Sequence, residues 1–132
     1  MTLNPALQGK TYPEVLFHVD DERVRAFADA VGHPSDEVPP TFVTLAEHEV
    51  GMPSVVADVE LGLDYARVVH GEQEYRWHRP MRVGETLRVA TTIGSIRSRG
   101  GMGFLALRTD LRDEEGELVA VATSVLIVRG ER

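Results

Sequence analysis

At His70 the chain stops repeating at the helical interval and begins to alternate every second residue. That change of period constrains the fold of these 132 residues more than any other feature. In "HGEQEYRWHR", Tyr75 and Trp77 fall on one face while Glu72, Glu74, Arg76 and His78 fall on the other, the pattern of a half-buried strand. "RPMRVGE" turns the chain, and "TLRVATTIGSIRSR" then alternates Leu87, Val89, Thr91 and Ile93. "RGGMG" reads as a tight turn, because glycine accepts the positive φ angles such turns need. "FLALRTDLRD" sets Leu105, Leu107 and Leu111 on one face, "DEEGE" turns again, and "LVAVATSVLIVRG" is a nearly continuous apolar run. Long strands joined by short glycine turns predict an antiparallel meander with one face in need of a cover.

The cover must come from the first half. In "DDERVRAFADAVGHP", Val24, Phe27, Ala28 and Val31 recur at helical spacing, with Asp20 or Asp21 placed to cap the start and Gly32 and Pro34 to stop it. "TFVTLAEHEVG" predicts a second helix, with Thr41 as its cap, Phe42, Leu45 and Ala46 as its apolar side, and Gly51-Met52-Pro53 as its end. "MPSVVADVELGLDYARVV" fits either a short helix or a loop. Two helices over an antiparallel sheet make an α+β layer, and residues 1–132 are expected to form one domain.

Composition narrows the function classes. A net charge of −7 argues against nucleic acid and anionic membranes as partners. The arginine clusters at Arg76, Arg79, Arg82 and Arg88, and at Arg97 and Arg99, read as solvated or paired strand surface, with a local rim for a phosphate-bearing small molecule as the alternative. The absence of cysteine excludes disulfides and thiolate chemistry and fits the cytoplasm. No apolar run nears the roughly 18 residues of a membrane span, and "MTLNPALQGKTYPEV" has no signal-peptide pattern. His18 and His48 stand alone, and no histidine pair has metal-site spacing, so no metal is expected. No cofactor is expected either, since phosphate-binding glycine loops, dinucleotide fingerprints and G-x-S-x-G are all missing.

A helix ending in "AVG", a proline-bearing loop, "PPTF" opening a second helix, and "HGEQEYRWHRPMRVGETL" before a meander together resemble the MaoC-like dehydratase family. More closely, the chain is similar to the N-terminal or non-catalytic half of actinobacterial (3R)-hydroxyacyl-thioester dehydratases. The resemblance runs from about Gly9 to Val128. It implies a hotdog fold, an antiparallel sheet wrapped around a central helix, with two such domains paired edge to edge and acyl thioesters bound at the pair. It thus implies an acyl-CoA or acyl-carrier-protein ligand and a homo- or heterodimer.

Catalytic members of that family carry an Asp/His dyad in a G-D-x-N-P-[ILV]-H loop after the first helix. Laid on "GHPSDEV", the loop has Gly32 in place, but His33 stands at the aspartate, Ser35 at the asparagine, Asp36 at the proline and Val38 at the histidine. Valine cannot move a proton, so the resemblance implies a chain without its own dyad. An inverted His33/Asp36 pair is the weak alternative. "AEHE" reads as a solvated helix surface, yet some hotdog thioesterases draw a carboxylate from this helix, which makes Glu47 the runner-up catalytic candidate. The expected pocket wall for an acyl chain is Phe42, Tyr65, Val69, His70, Gly71, Tyr75 and Trp77. The leading expectation is therefore an acyl-thioester-binding subunit acting beside a dyad-bearing partner. The alternatives are a Glu47-dependent acyl-CoA thioesterase and a homodimeric acyl-CoA-binding module without turnover.

Overall fold

The expected meander is present in the computed structural model, which describes residues 2–34 and 36–130. Strands β3 (Thr86–Arg99), β4 (Met102–Arg112) and β5 (Leu118–Val128) follow one another by tight turns. Strand β2 (Val68–Trp77) pairs with the far side of β5, and a short β1 (Val15–His18), which the sequence pattern did not reveal, pairs with β3. The sheet is antiparallel throughout, in the order β1-β3-β4-β5-β2. Its two edges differ: β1 is a stub, whereas β2 is long and largely exposed.

Helix α1 (Asp21–Val31) has the expected ends. The Asp20 carboxylate accepts from the Arg23 amide at 3.0 Å, and Gly32 closes the helix at a φ of 73°. The second helix departs from expectation. Helix α2 spans residues 40–57 as one continuous run of changing pitch: a 3-10 turn at Pro40–Phe42, an α turn at Val43–Leu45, a π turn at Ala46–Gly51 and an α segment at Met52–Ala57. Thr41 does not cap it, since Pro39 occupies that position without a side-chain bond. Nor does Gly51-Met52-Pro53 end it. The π turn ends with the Met52 amide reaching back to the Glu47 carbonyl, so Pro53 falls in the first turn of a new α segment, where a missing N–H costs nothing.

Helix α2 lies against the inner face of the sheet, and the apolar core beneath it is split. One cluster gathers around Phe17, Phe42, Leu87, Val89, Leu111 and Ala120. The other gathers around Met52, Val55, Ile93, Leu105, Leu107 and Leu126. Between them lie small polar residues. Thr91 separates Val89 from Ile93, Thr109 separates Leu111 from Leu107, and Ser124 separates Ala120 from Leu126. Thr91 and Thr109 satisfy one another through their hydroxyls at 3.2 Å. The helix comes closest to the sheet here: a Cβ on Gly51 would sit 2.8 Å from the Thr91 Oγ1. Only glycine permits that approach.

Candidate functional site

Two features line the seam between α2 and the exposed edge strand. The first is polar and lies along the π turn. Contrary to the expectation of a solvated "AEHE" surface, Glu47 is buried, at 2% exposure. The pitch change explains this, because Ala46, Glu47 and Gly51 are the residues that the π turn directs inward. One carboxylate oxygen of Glu47, Oε2, accepts from Gln73 Nε2 on β2 at 3.2 Å. The other, Oε1, receives no hydrogen bond among the described residues, and His48 Nε2 stands 3.6 Å from it. The His48 ring is in turn 6.0 Å from that of His70 on β2. One turn earlier, the Thr44 and Tyr75 hydroxyls share a bond of 2.6 Å. Burial pushes the Tyr75 phenol up, the Thr44 bond pulls it partly back, and neighbouring Glu47 raises it again. The phenol therefore keeps its proton at neutral pH.

The second feature is an apolar groove at the start of α2. It measures about 330 Å³ and is lined by Val38, Pro39, Pro40, Trp77, Pro80 and Met81 among others. Arg79 braces its wall, with a forked contact to Glu85 at 2.7 and 3.1 Å and a third bond to Asp113 at 3.3 Å. Burial pushes the Glu85 carboxyl up, but Arg79 and the Arg82 amide outweigh it and hold the group below its ordinary range.

The candidate residues divide between these places and elsewhere. His70, Tyr75 and Glu47 meet in the polar seam, and Trp77 lines the apolar groove beside it. Phe42 sits fully enclosed in the core, packed edge-on against Phe27 at 5.5 Å and tilted against Phe17 at 5.9 Å. Tyr65 and Val69 are exposed, and Val69 pairs with Ile127 away from the seam. His33 bonds Glu37 at 3.2 Å, and Asp36 is exposed. Val38 packs against the core, and the Ser35 position lies outside the described residues.

Gly71 has a specific role in this geometry. The β2–β5 register slips between His70 and Glu72, so Gly71 is the extra residue of a bulge. A bulge reverses the alternation, which puts His70 on the same side as Gln73, Tyr75 and Trp77. Without the slip, strict period two would put His70 on the same face as Glu72 and Glu74, away from Tyr75 and Trp77, although His70 was expected to line the pocket. A Cβ on Gly71 would meet the Ile127 side chain at 2.8 Å. Gln73 and Thr44 were not singled out from the sequence. Gln73 shares its parity with Tyr75 and Trp77, so the signal was there; Thr44 carried none.

The seam offers an unpartnered buried acceptor, two imidazoles and a protonated phenol beside an apolar groove. Such a site can hold an apolar chain that carries a hydrogen-bonding group. Among the described residues no cluster of acidic and imidazole groups could hold a metal, and no helix is long and apolar enough to cross a membrane.

Comparison with known proteins gives a consistent picture. The model of the FAS1-like dehydratase domain region matches residues 6–122. The UPF0336 protein of Saccharopolyspora erythraea is 36% identical, with 98% of this chain and 94% of that protein covered. The UPF0336 protein SCO4636 of Streptomyces coelicolor is 38% identical, covering 98% and 97%. Among solved structures, the HadBC (3R-hydroxyacyl-ACP dehydratase) complex of Mycobacterium tuberculosis superposes with a TM-score of 0.75 at 26% identity, covering 92% of this chain and 96% of that one. A MaoC-like dehydratase gives a TM-score of 0.81 at 22% identity over 94% of this chain and 42% of its own, a likeness of fold.

Proposed function

Because the chain belongs to the MaoC-like hotdog dehydratase family, we propose that it is the acyl-thioester-binding, non-catalytic subunit of a (3R)-hydroxyacyl-thioester dehydratase. Its partner is a second hotdog subunit carrying the Asp/His loop. Dehydration removes a proton from the carbon next to the thioester and delivers one to the departing hydroxyl, while donors steady the enolate-like oxygen. The observation that carries the reading is Val38. At the position of the family's histidine, this chain packs an apolar side chain against its core.

The remaining parts fit that division of labour. The groove beside Val38 and Trp77 is apolar, as an acyl chain requires. The long outer edge of β2 leaves a row of backbone donors and acceptors open, the kind of edge that proteins cover by pairing. Relatives of the same fold include the HadBC and ChsH1-ChsH2 complexes, each of two different subunits.

The test is hydration of crotonyl-CoA by the purified chain, alone and mixed with a dyad-bearing subunit, beside sedimentation of each sample. The expected result is turnover in the mixture only, from a dimeric species. Strong activity from the chain alone that survives His33→Ala and Asp36→Ala overturns the reading. A second reading is favoured by the burial of Glu47 beside His48. A carboxylate and an imidazole so placed suit thioester hydrolysis. Thiol release from acyl-CoA substrates of several chain lengths, abolished in Glu47→Gln, is its signature. Thermal stabilisation by acyl-CoA with no turnover in any mixture would instead mark a binding module.

A further inference from the structure

The outer face of the sheet carries a feature that the acyl-binding reading does not use. A groove of about 380 Å³ crosses it, lined by Glu72, Ser95, Arg97, Arg99, Phe104, Ala106 and Val125. Its floor is a single register row: Ser95 opposes Ala106, Ala106 opposes Val125, and Val125 opposes Glu72. Both ends of that row begin immediately after a slip in register, between Ile93 and Ser95 on β3 and between His70 and Glu72 on β2. Without the slip on β3, the alternation that buries Val89, Thr91 and Ile93 would turn Ser95, Arg97 and Arg99 into the core. With it, Ile96 goes inward, and the two arginines stand on the outer face.

These two arginines share with Arg67, Arg82 and Arg129 the lack of an ion pair among the described residues, but they alone of these line this groove together. Arg23, Arg25, Arg76, Arg79, Arg88, Arg108 and Arg112 each lie within 4.0 Å of a carboxylate. Arg97 and Arg99 have no ion pair or side-chain hydrogen bond among the described residues, although the net charge is −7. Two guanidiniums on the same face of one strand repel each other, and an anion bound between them would relieve that repulsion. Between the arginines and Glu72 the groove is apolar. Phe104 and the small side chains of Ala106 and Val125 make a flat apolar middle. Glu72, at the far end on the edge strand, is exposed, and its carboxylate has no partner among the described residues. Four strands at their usual spacing put about 14 Å between the two ends.

We propose that this groove binds an adenine nucleotide, with its phosphates between Arg97 and Arg99, its base against Phe104 and the apolar floor, and its exocyclic amine donating to Glu72. The ligand complements the groove in order: a polyanion at the basic end, a flat ring in the middle, and an N–H donor at the acidic end. The groove faces away from the α2–β2 seam, so the proposal stands whether or not the acyl-binding reading does.

Calorimetry on the full chain tests it, with ADP, adenosine, inorganic pyrophosphate and IDP as separate probes. ADP is expected to bind more tightly than adenosine or pyrophosphate alone. Arg97→Gln with Arg99→Gln should weaken ADP by about tenfold or more, because charge-assisted bonds are lost. Glu72→Gln should erase the preference for ADP over IDP, which lacks the amine, while leaving pyrophosphate unaffected. All three side chains are exposed, and unchanged thermal unfolding of the free variants confirms that they fold. Coenzyme A run beside ADP separates two sources of the same chemistry: tighter binding of coenzyme A assigns the groove to the nucleotide end of a thioester carrier, and equal binding assigns it to the free nucleotide. Pyrophosphate binding as tightly as ADP reduces the groove to a plain anion patch and overturns the proposal, as does an absence of ADP binding at millimolar concentration.

Discussion

The loop 32–38 and the π turn Ala46–Gly51 lie a few residues apart, and each holds one residue at odds with its setting. The loop is where the proposed reading expects a catalytic member to keep its proton-moving pair, and here it ends in Val38, packed on the core. The π turn belongs to the central helix, where an apolar residue would pack best, yet it buries Glu47 with a single amide donor. A loop that loses polar groups sacrifices little stability. Burying a carboxylate costs several kcal/mol unless it is well partnered, roughly 1–3 kcal/mol even by mutational measures of polar groups. The contrast teaches that an apolar residue packed on the core needs no special account, whereas a buried, thinly partnered carboxylate does. A costly group that persists is the better guide to function.

The largest effect should come from reversing the loop. Introducing His33→Asp and Val38→His together should raise crotonyl-CoA hydration by the chain alone by about 10²-fold, the lower range for positioned acid–base groups. A steady-state assay reads this directly, and no gain in a folded variant would show that the loop is not where the difference lies. Next is the π turn. Gly51→Val should destabilise the chain by about 2–3 kcal/mol through overpacking against Thr91, read by denaturant unfolding. Glu47→Met should act in the opposite direction and stabilise by about 1 kcal/mol, because an apolar side chain of similar length suits an enclosed site better than a thinly partnered carboxylate. If the same variant also loses activity in the mixed assay, the burial serves the site.

The smallest effect concerns pH. The carboxyls of Asp58, Glu85 and Asp113 are all held below their ordinary values. For Asp58 the leading cause is Lys10, followed by Tyr12; for Glu85 and Asp113 burial acts first and upward, and is outweighed by Arg79 and backbone amides. A depressed folded-state pKa gives stability that is complete above the unfolded value, about 4, and is lost as pH falls through the lower folded value. Thermal unfolding should therefore be flat from pH 7 to about 5 and decline below about 4. Arg79→Met should lower the plateau and shallow the decline, since the groove wall then has less to lose.

Much of the fold was legible because its signals are local. Alternation marked β3, β4 and β5, and helical spacing with Asp20 and Gly32 marked α1. Strand β1 has only four residues, too few for a period to declare itself. The path of α2 through Gly51 and Pro53 was hidden because both residues ordinarily stop a helix. Only a close approach to Thr91 and a π turn make them fit. The candidate site was half legible. Tyr75, Trp77, His70 and Glu47 were named from the sequence, but Gln73 and Thr44 became visible only through their partners.

The sequence by itself determined an α+β chain with a meander, the change of period at His70, and a loop that ends in Val38. Those are properties of residues and their immediate spacing, and no neighbour can alter them. Tertiary structure decided which face each side chain took after a bulge, and that Glu47 is buried rather than solvated. One extra residue in a strand or a helical turn rotates everything beyond it, and whether that residue is accommodated depends on packing against distant parts of the chain.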